Sequence, residues 1–154
     1  MVYTTDLLGA WQLSRWQVER MDRLDHPFGE DAVGTLLYTA DGWMHASVAA
    51  ADRRSPQERI LRRSSDGEVA ELARSFFSYG GRWWLSADEV VHAVTVALDP
   101  ELVGVELRRR VDLADGQLTL SAEEVVDHET RHHRLHWCRA SDVERTSKRV
   151  EVGT

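Results

Sequence analysis

Gly34-Thr35-Leu36-Leu37-Tyr38-Thr39-Ala40-Asp41-Gly42-Trp43-Met44-His45-Ala46-Ser47-Val48 reads as two β-prone runs joined through Ala40-Asp41-Gly42. Asp-Gly supplies the backbone angles of a tight hairpin turn, and side chains on either side alternate between two faces. Gly34, Leu36 and Tyr38 share one face of the outgoing strand. On the returning strand Met44, Ala46 and Val48 form the smoother apolar face, which predicts Met44 inside and His45 outside. The opposite face, with Trp43 beside His45, also suits a cavity wall.

Working outward from the hairpin, residues 50–66 are polar and contain Pro and Gly, which predicts a surface excursion with a helical turn around Gln57 to Arg62. Asp66 to Phe77 carries Val69, Leu72, Ala73, Phe76 and Phe77 at helical spacing, ended by Tyr79-Gly80-Gly81. Arg82 to Ser86, Glu89 to Leu98, Val103 to Leu113, Gln117 to Ser121 and His133 to Arg139 follow as strands. Their separators, Ala87-Asp88, Asp99-Pro100-Glu101 and Ala114-Asp115-Gly116, are short and rich in turn formers. Short links between successive strands imply an antiparallel meander, and about eight strands imply closure into an up-and-down barrel with one short helix. Gly9-Ala10-Trp11 and Trp137-Cys138-Arg139 at the two ends resemble the closure of lipocalin-like barrels, which implies that Trp11 plugs the floor and that Arg139 lies over its face as a cation–π cover.

The bulk numbers fit one domain over residues 1–154. The 26 acidic against 19 basic side chains give a net charge of -7, which repels phosphate backbones; Arg108-Arg109-Arg110 is the only tight basic run in the body of the barrel, so no nucleic-acid partner is expected. The single Cys138 rules out an intramolecular disulfide, and Met1-Val2-Tyr3-Thr4-Thr5-Asp6 has no signal-peptide pattern, so the expected compartment is the cytoplasm. No apolar run approaches the roughly 20 residues of a membrane span.

Six segments, in order, then carry a resemblance: Leu7 to Trp11, Pro27-Phe28-Gly29, Gly34 to Met44, Tyr79 to Trp83, Val90-Val91-His92 and Leu135 to Arg139. They match a pattern of Leu-x-Gly-x-Trp, Pro-x-Gly, Gly-x-Leu-x-Tyr-x-x-Asp-Gly-x-Met, Tyr-x-Gly-Arg-aromatic, Val-x-His and Leu-x-Trp-x-Arg, so that the chain resembles the bacterial and fungal lipocalin-like domain family over almost its whole length. The resemblance implies a lipocalin-like barrel with an internal pocket. Members encoded beside natural-product pathways, antibiotic biosynthesis among them, act as cyclases, pericyclases or isomerases, while others have no assigned activity.

Inward-pointing polar groups decide what such a barrel does. Val90, His92, Val94, Val96 and Leu98 make an apolar phase holding one imidazole, so His92 is expected in the lumen, either as a satisfied core histidine or as a general acid or base. Tyr38 is its natural partner. On the strand from Val103, alternation puts Leu107, Arg109 and Val111 inside and Glu106, Arg108 and Arg110 in water. The family's Gly-x-polar-x-Arg pattern falls instead on Gly104, Glu106 and Arg108, and so implies an inward carboxylate and guanidinium able to grip an acid, enol or 1,3-dicarbonyl. The catalytic candidates are therefore Tyr38, His92, Glu106 and Arg108, and the ligand-binding candidates Met44, Tyr79, Trp83 and Trp137.

Of the six tryptophans, the adjacent Trp83 and Trp84 must face opposite ways; an exposed one at the mouth offers a ligand platform or a homodimer contact. The histidine-rich segment His128 to His136 raises a metal site, but His132 and His136 on one strand face have Arg134 between them, and the segment reads as a polar outer strand with no metal. Nor does a Gly-rich phosphate loop signal a cofactor. Two readings follow: a cofactor-independent cyclase or isomerase acting on a hydrophobic polyketide- or terpenoid-type intermediate of secondary metabolism, or a non-catalytic carrier sequestering a small hydrophobic ligand.

Overall fold

A computed structural model describes residues 1–55 and 61–142. The strands are β1 (Gly9–Arg20), β2 (Arg23–Asp25), β3 (Val33–Tyr38), β4 (Trp43–Ala49), β5 (Phe76–Ser86), β6 (Glu89–Ala97), β7 (Glu106–Ala114), β8 (Gln117–Val126) and β9 (Glu129–Arg139). All pairings are antiparallel, and β1 pairs with both β3 and β9, so the sheet closes into an eight-stranded barrel with β2 as a short side branch. The hairpin of β3 and β4 runs from Val33↔Ala49 to Tyr38↔Met44. Leu36, Tyr38, Met44, Ala46 and Val48 are buried while Trp43 and His45 are exposed, as the alternation predicts.

The floor closes as expected. Arg139 stands opposite Trp11 in the β1–β9 register, with its guanidinium carbon 3.8 Å from the centre of the indole. The same guanidinium donates to the carbonyls of Leu8 and Asp6, and the Trp11 N–H donates to Leu7 at 2.9 Å. A short helix α1 (Thr4–Leu7) buries Leu7 beneath this plug.

Three expectations shift. The helix, α2 (Asp66–Arg74), is shorter than its apolar spacing suggested: Ser65 and Glu68 form a reciprocal capping box at its start, but Phe76 and Phe77 belong to β5 and pair with Ala49 and Val48. Of the helical turn expected around Gln57 to Arg62, residues 57–60 lie outside the described residues, and Leu61–Arg63 form one 3-10 turn. Bulges also change the phase of two strands. On β6 the partners jump from Gly81↔Val94 to Gly80↔Val96, so Val90, His92 and Val94 face inward but Val96 and Leu98 are 59% and 50% exposed. On β1 the shift between Leu13 and Arg15 turns Trp16 and Val18 inward with Trp11 and Leu13.

The wall is not laddered throughout. β7 and β8 pair only from Ala114↔Gln117 to Arg110↔Ser121. Beyond that point residues 106–109 keep their bonds to β6, and residues 122–126 keep theirs to β9, but the two stretches splay apart. Among the described residues no helix is long and apolar enough to cross a membrane.

Candidate functional site

The barrel encloses a cavity of about 450 Å³, within the range of small-molecule sites. Its walls are mainly apolar: Leu36 and Val48 from the hairpin, Phe77 from β5, Leu107 from β7, Leu120 from β8 and Leu135 from β9. The polar groups fall into two sets. Tyr79, His92 and Arg109 sit on inner strands, while Asp99, Glu123, Glu124 and His133 sit toward solvent at the mouth.

His92 is 1% exposed and lies between two phenols. Its Nε2 is 2.7 Å from the Tyr38 hydroxyl and its Nδ1 is 2.9 Å from that of Tyr79. Burial and, secondarily, the positive charge of Arg109 push its pKa down to about 3, so the imidazole is neutral at pH 7 and carries one proton. Burial also raises both tyrosines, Tyr38 most strongly, so both hydroxyls stay protonated.

That single proton gives the chain a direction. If Nε2 carried it, His92 would donate to Tyr38, whose own O–H, buried and without another partner among the described residues, would be left with no acceptor. With the proton on Nδ1 the unpaired donor moves to the cavity side: Tyr38 donates to Nε2, Nδ1–H donates to the Tyr79 oxygen, and only the Tyr79 O–H is left for a partner from the cavity. Tyr79 lines the cavity and Tyr38 does not. The network therefore presents a hydrogen-bond donor to whatever occupies the lumen.

Trp83 braces this arrangement. It packs against Tyr38 with ring centres 4.5 Å apart and donates its N–H to the Thr39 carbonyl at 3.0 Å. As predicted, Trp83 turns inward (5% exposed) and Trp84 outward (40%).

Glu106 and Arg108 are corrections. Both lie on the outer phase of β7, about half exposed, and pair with each other at 3.4 Å, with Arg108 also 3.6 Å from Glu89. Plain alternation wins over the motif: Leu107, Arg109 and Val111 face in, and strand geometry turns their adjacent neighbours Glu106, Arg108 and Arg110 the other way. Met44 and Trp83 are corrected as ligand contacts, being core residues that do not line the cavity. Tyr79 and Trp137 do line it, and the buried Trp137 N–H has no hydrogen-bond partner among the described residues.

Arg109 and Trp16 also line the cavity, though neither stands among the candidate site residues. Arg109 was legible as the lone charge on an apolar phase. Trp16 was not, because the β1 bulge that turns it inward leaves no mark in the composition; at the mouth it meets Phe28 and Phe77 edge-on, at 5.0 and 5.5 Å. Its N–H donates to His133 Nδ1 at 3.3 Å, and His133 Nε2 faces Glu124 at 3.0 Å. So β9 is not simply an outer polar strand: His133, Leu135 and Trp137 line the lumen, while His132 pairs with Glu123 at 3.3 Å.

A family model described as a lipocalin-like domain matches residues 8–140 of this closed antiparallel barrel. The chain belongs to the lipocalin-like domain family. No curated protein and no solved structure matches it. In this lipocalin-like barrel the family's Leu-x-Trp-x-Arg segment at Leu135 to Arg139 serves both ends of the interior: Leu135 and Trp137 line the cavity and Arg139 seals the floor.

Proposed function

We propose that this barrel binds a small, largely apolar molecule carrying a carbonyl or enol oxygen and cyclises or isomerises it without a cofactor. The observation that carries the reading is the buried chain from Tyr38 through His92 to Tyr79, which meets a largely apolar cavity at Tyr79. An oxygen placed against Tyr79 gains a fixed donor in surroundings of low dielectric, where a donor aimed at developing negative charge is worth roughly 10²–10³ in rate. Walls shaped by Leu36, Phe77 and Trp137 hold a flexible substrate folded, a contribution of several kcal/mol when the bound conformer is close to the reacting one. A hydrophobic polyketide- or terpenoid-type intermediate fits these walls.

The carrier reading is favoured by one observation. His92 has both nitrogens engaged and a pKa of about 3, so it does not serve as a base near neutrality, and Glu106 lies outside. No side chain here takes a proton from carbon; in the enzyme reading Tyr79 polarises the oxygen, and solvent removes the carbon proton that this acidifies and returns another.

Deuterium incorporation from D2O into a bound aryl 1,3-diketone separates the two. The enzyme reading expects the wild type to accelerate exchange and Tyr79→Phe to lose at least tenfold of that acceleration while binding the diketone within threefold of wild type. Binding without acceleration by the wild type assigns the barrel to carriage.

A further inference from the structure

Arg108-Arg109-Arg110 places three guanidiniums in a row, and the structure treats them differently. Arg108 is held by Glu106 and Glu89, and Arg110 by Asp88 at 3.8 Å. Arg109 points the other way, into the cavity, and among the described residues no carboxylate lies within ion-pairing distance of it. Among the described residues its one hydrogen bond runs from Nη1 to the Arg108 carbonyl at 3.0 Å, which leaves most of the guanidinium's five donors without a protein partner there. Partly exposed between the lumen and the outer surface, the guanidinium keeps donors that an anionic group in the cavity can take over from water.

The acids nearest in the lining do not do so. Glu124 is engaged by His133, Glu123 by His132, and Asp99 accepts the Glu101 N–H at 3.0 Å in capping the short 3-10 turn before β7. Arg109 also stands where β7 and β8 splay apart, at the junction between the cavity and an outer depression that shares Leu107, Arg109, Ala122, Glu123 and His133 with it.

We infer that Arg109 is the head-group subsite for a carboxylate, so that the barrel's ligand is an amphipathic monocarboxylic acid whose apolar body lies along Phe77, Leu120 and Leu135. The inference rests on the cavity proposed above as a ligand site and narrows its substrate class to acids. A planar carboxylate matches the fork of a guanidinium with two parallel bonds, which a carbonyl or alcohol cannot form.

The test uses decanoate and decanol at pH 7.5, with binding read from the fluorescence of Trp16 and Trp137, which line the cavity. Wild type should bind decanoate at least tenfold more tightly than decanol. Arg109→Gln should lose at least tenfold of the decanoate affinity and leave decanol within twofold, and Arg109→Lys, which keeps the charge, should retain a preference for the acid. The wild-type comparison stands even if a variant fails to fold. Equal binding of the two probes by wild type, or a preference that survives Arg109→Gln, overturns the subsite and leaves the carbonyl reading in place. Binding of neither probe overturns the ligand cavity and the subsite together. Loss of diketone exchange with the acid preference intact removes catalysis alone.

Discussion

His92 is a buried titratable group whose charge state the fold dictates. Its pKa stands at about 3 in the native protein against 6.5 as the ordinary value, so between these limits the unfolded chain takes up a proton that the native chain refuses. Stability from this group is complete above pH 6.5 and declines as pH falls toward 3, by up to about 1.4 kcal/mol per pH unit. Urea midpoints measured from pH 7 to pH 4.5 should therefore fall more steeply for wild type than for His92→Gln, which is less stable at pH 7 but lacks the titration. Parallel slopes would show that His92 is not buried as a neutral ring. His92 and Tyr38 were legible as inward polar groups because each stands on an apolar phase, the same signal that marks Arg109. Glu106 and Arg108 lie outside because the period of two enforced by a strand's backbone decides the face, whatever motif the residues match.

Among the elements, the bulged pair β5–β6 fixes where the site's strands stand. A Cβ at Gly81 would lie 2.0 Å from the Ala93 carbonyl oxygen and 2.9 Å from the Thr95 nitrogen, both backbone atoms of β6. Neither yields without breaking the ladder. Gly81→Ala is expected to cost at least about 3 kcal/mol, whereas Gly67→Ala, whose Cβ meets nothing within 4 Å near the start of α2, should be neutral or stabilise by up to about 1 kcal/mol. Thermal melts of the two variants make the comparison, and equal melting temperatures would remove the close approach at the bulge. Strand existence was readable from turn formers and alternation. The bulges were not, because an extra residue between paired strands is chosen by the fit of the whole sheet, and with them went the inward turn of Trp16 and the outward turn of Val96.

At the scale of the molecule, closure separates stability from ligand recognition. Arg139 covers Trp11 and caps the carbonyls of Leu8 and Asp6 at the floor, while the polar chain and Arg109 face the cavity. Arg139→Ala should lower unfolding free energy by about 2–3 kcal/mol and leave decanoate affinity within twofold. A large loss of affinity from a variant still folded by circular dichroism would show that floor and cavity are coupled. The closed barrel was legible because its two ends carry complementary residues. The division of labour between them was not, since Trp137 and Arg139 are neighbours in sequence and serve different places.

The splayed stretch between β7 and β8 has one more consequence, for self-association. A closed barrel has no sheet edge to offer, except where a ladder stops short, and here it stops at Arg110↔Ser121. Such an interruption invites a strand from another molecule to complete it. Glu106, Arg108, Glu123 and Glu124 crowd this break with exposed charge, so an incoming strand would have to strip their hydration to dock. Exposed around the break, these four side chains suit the barrel to staying apart from its neighbours.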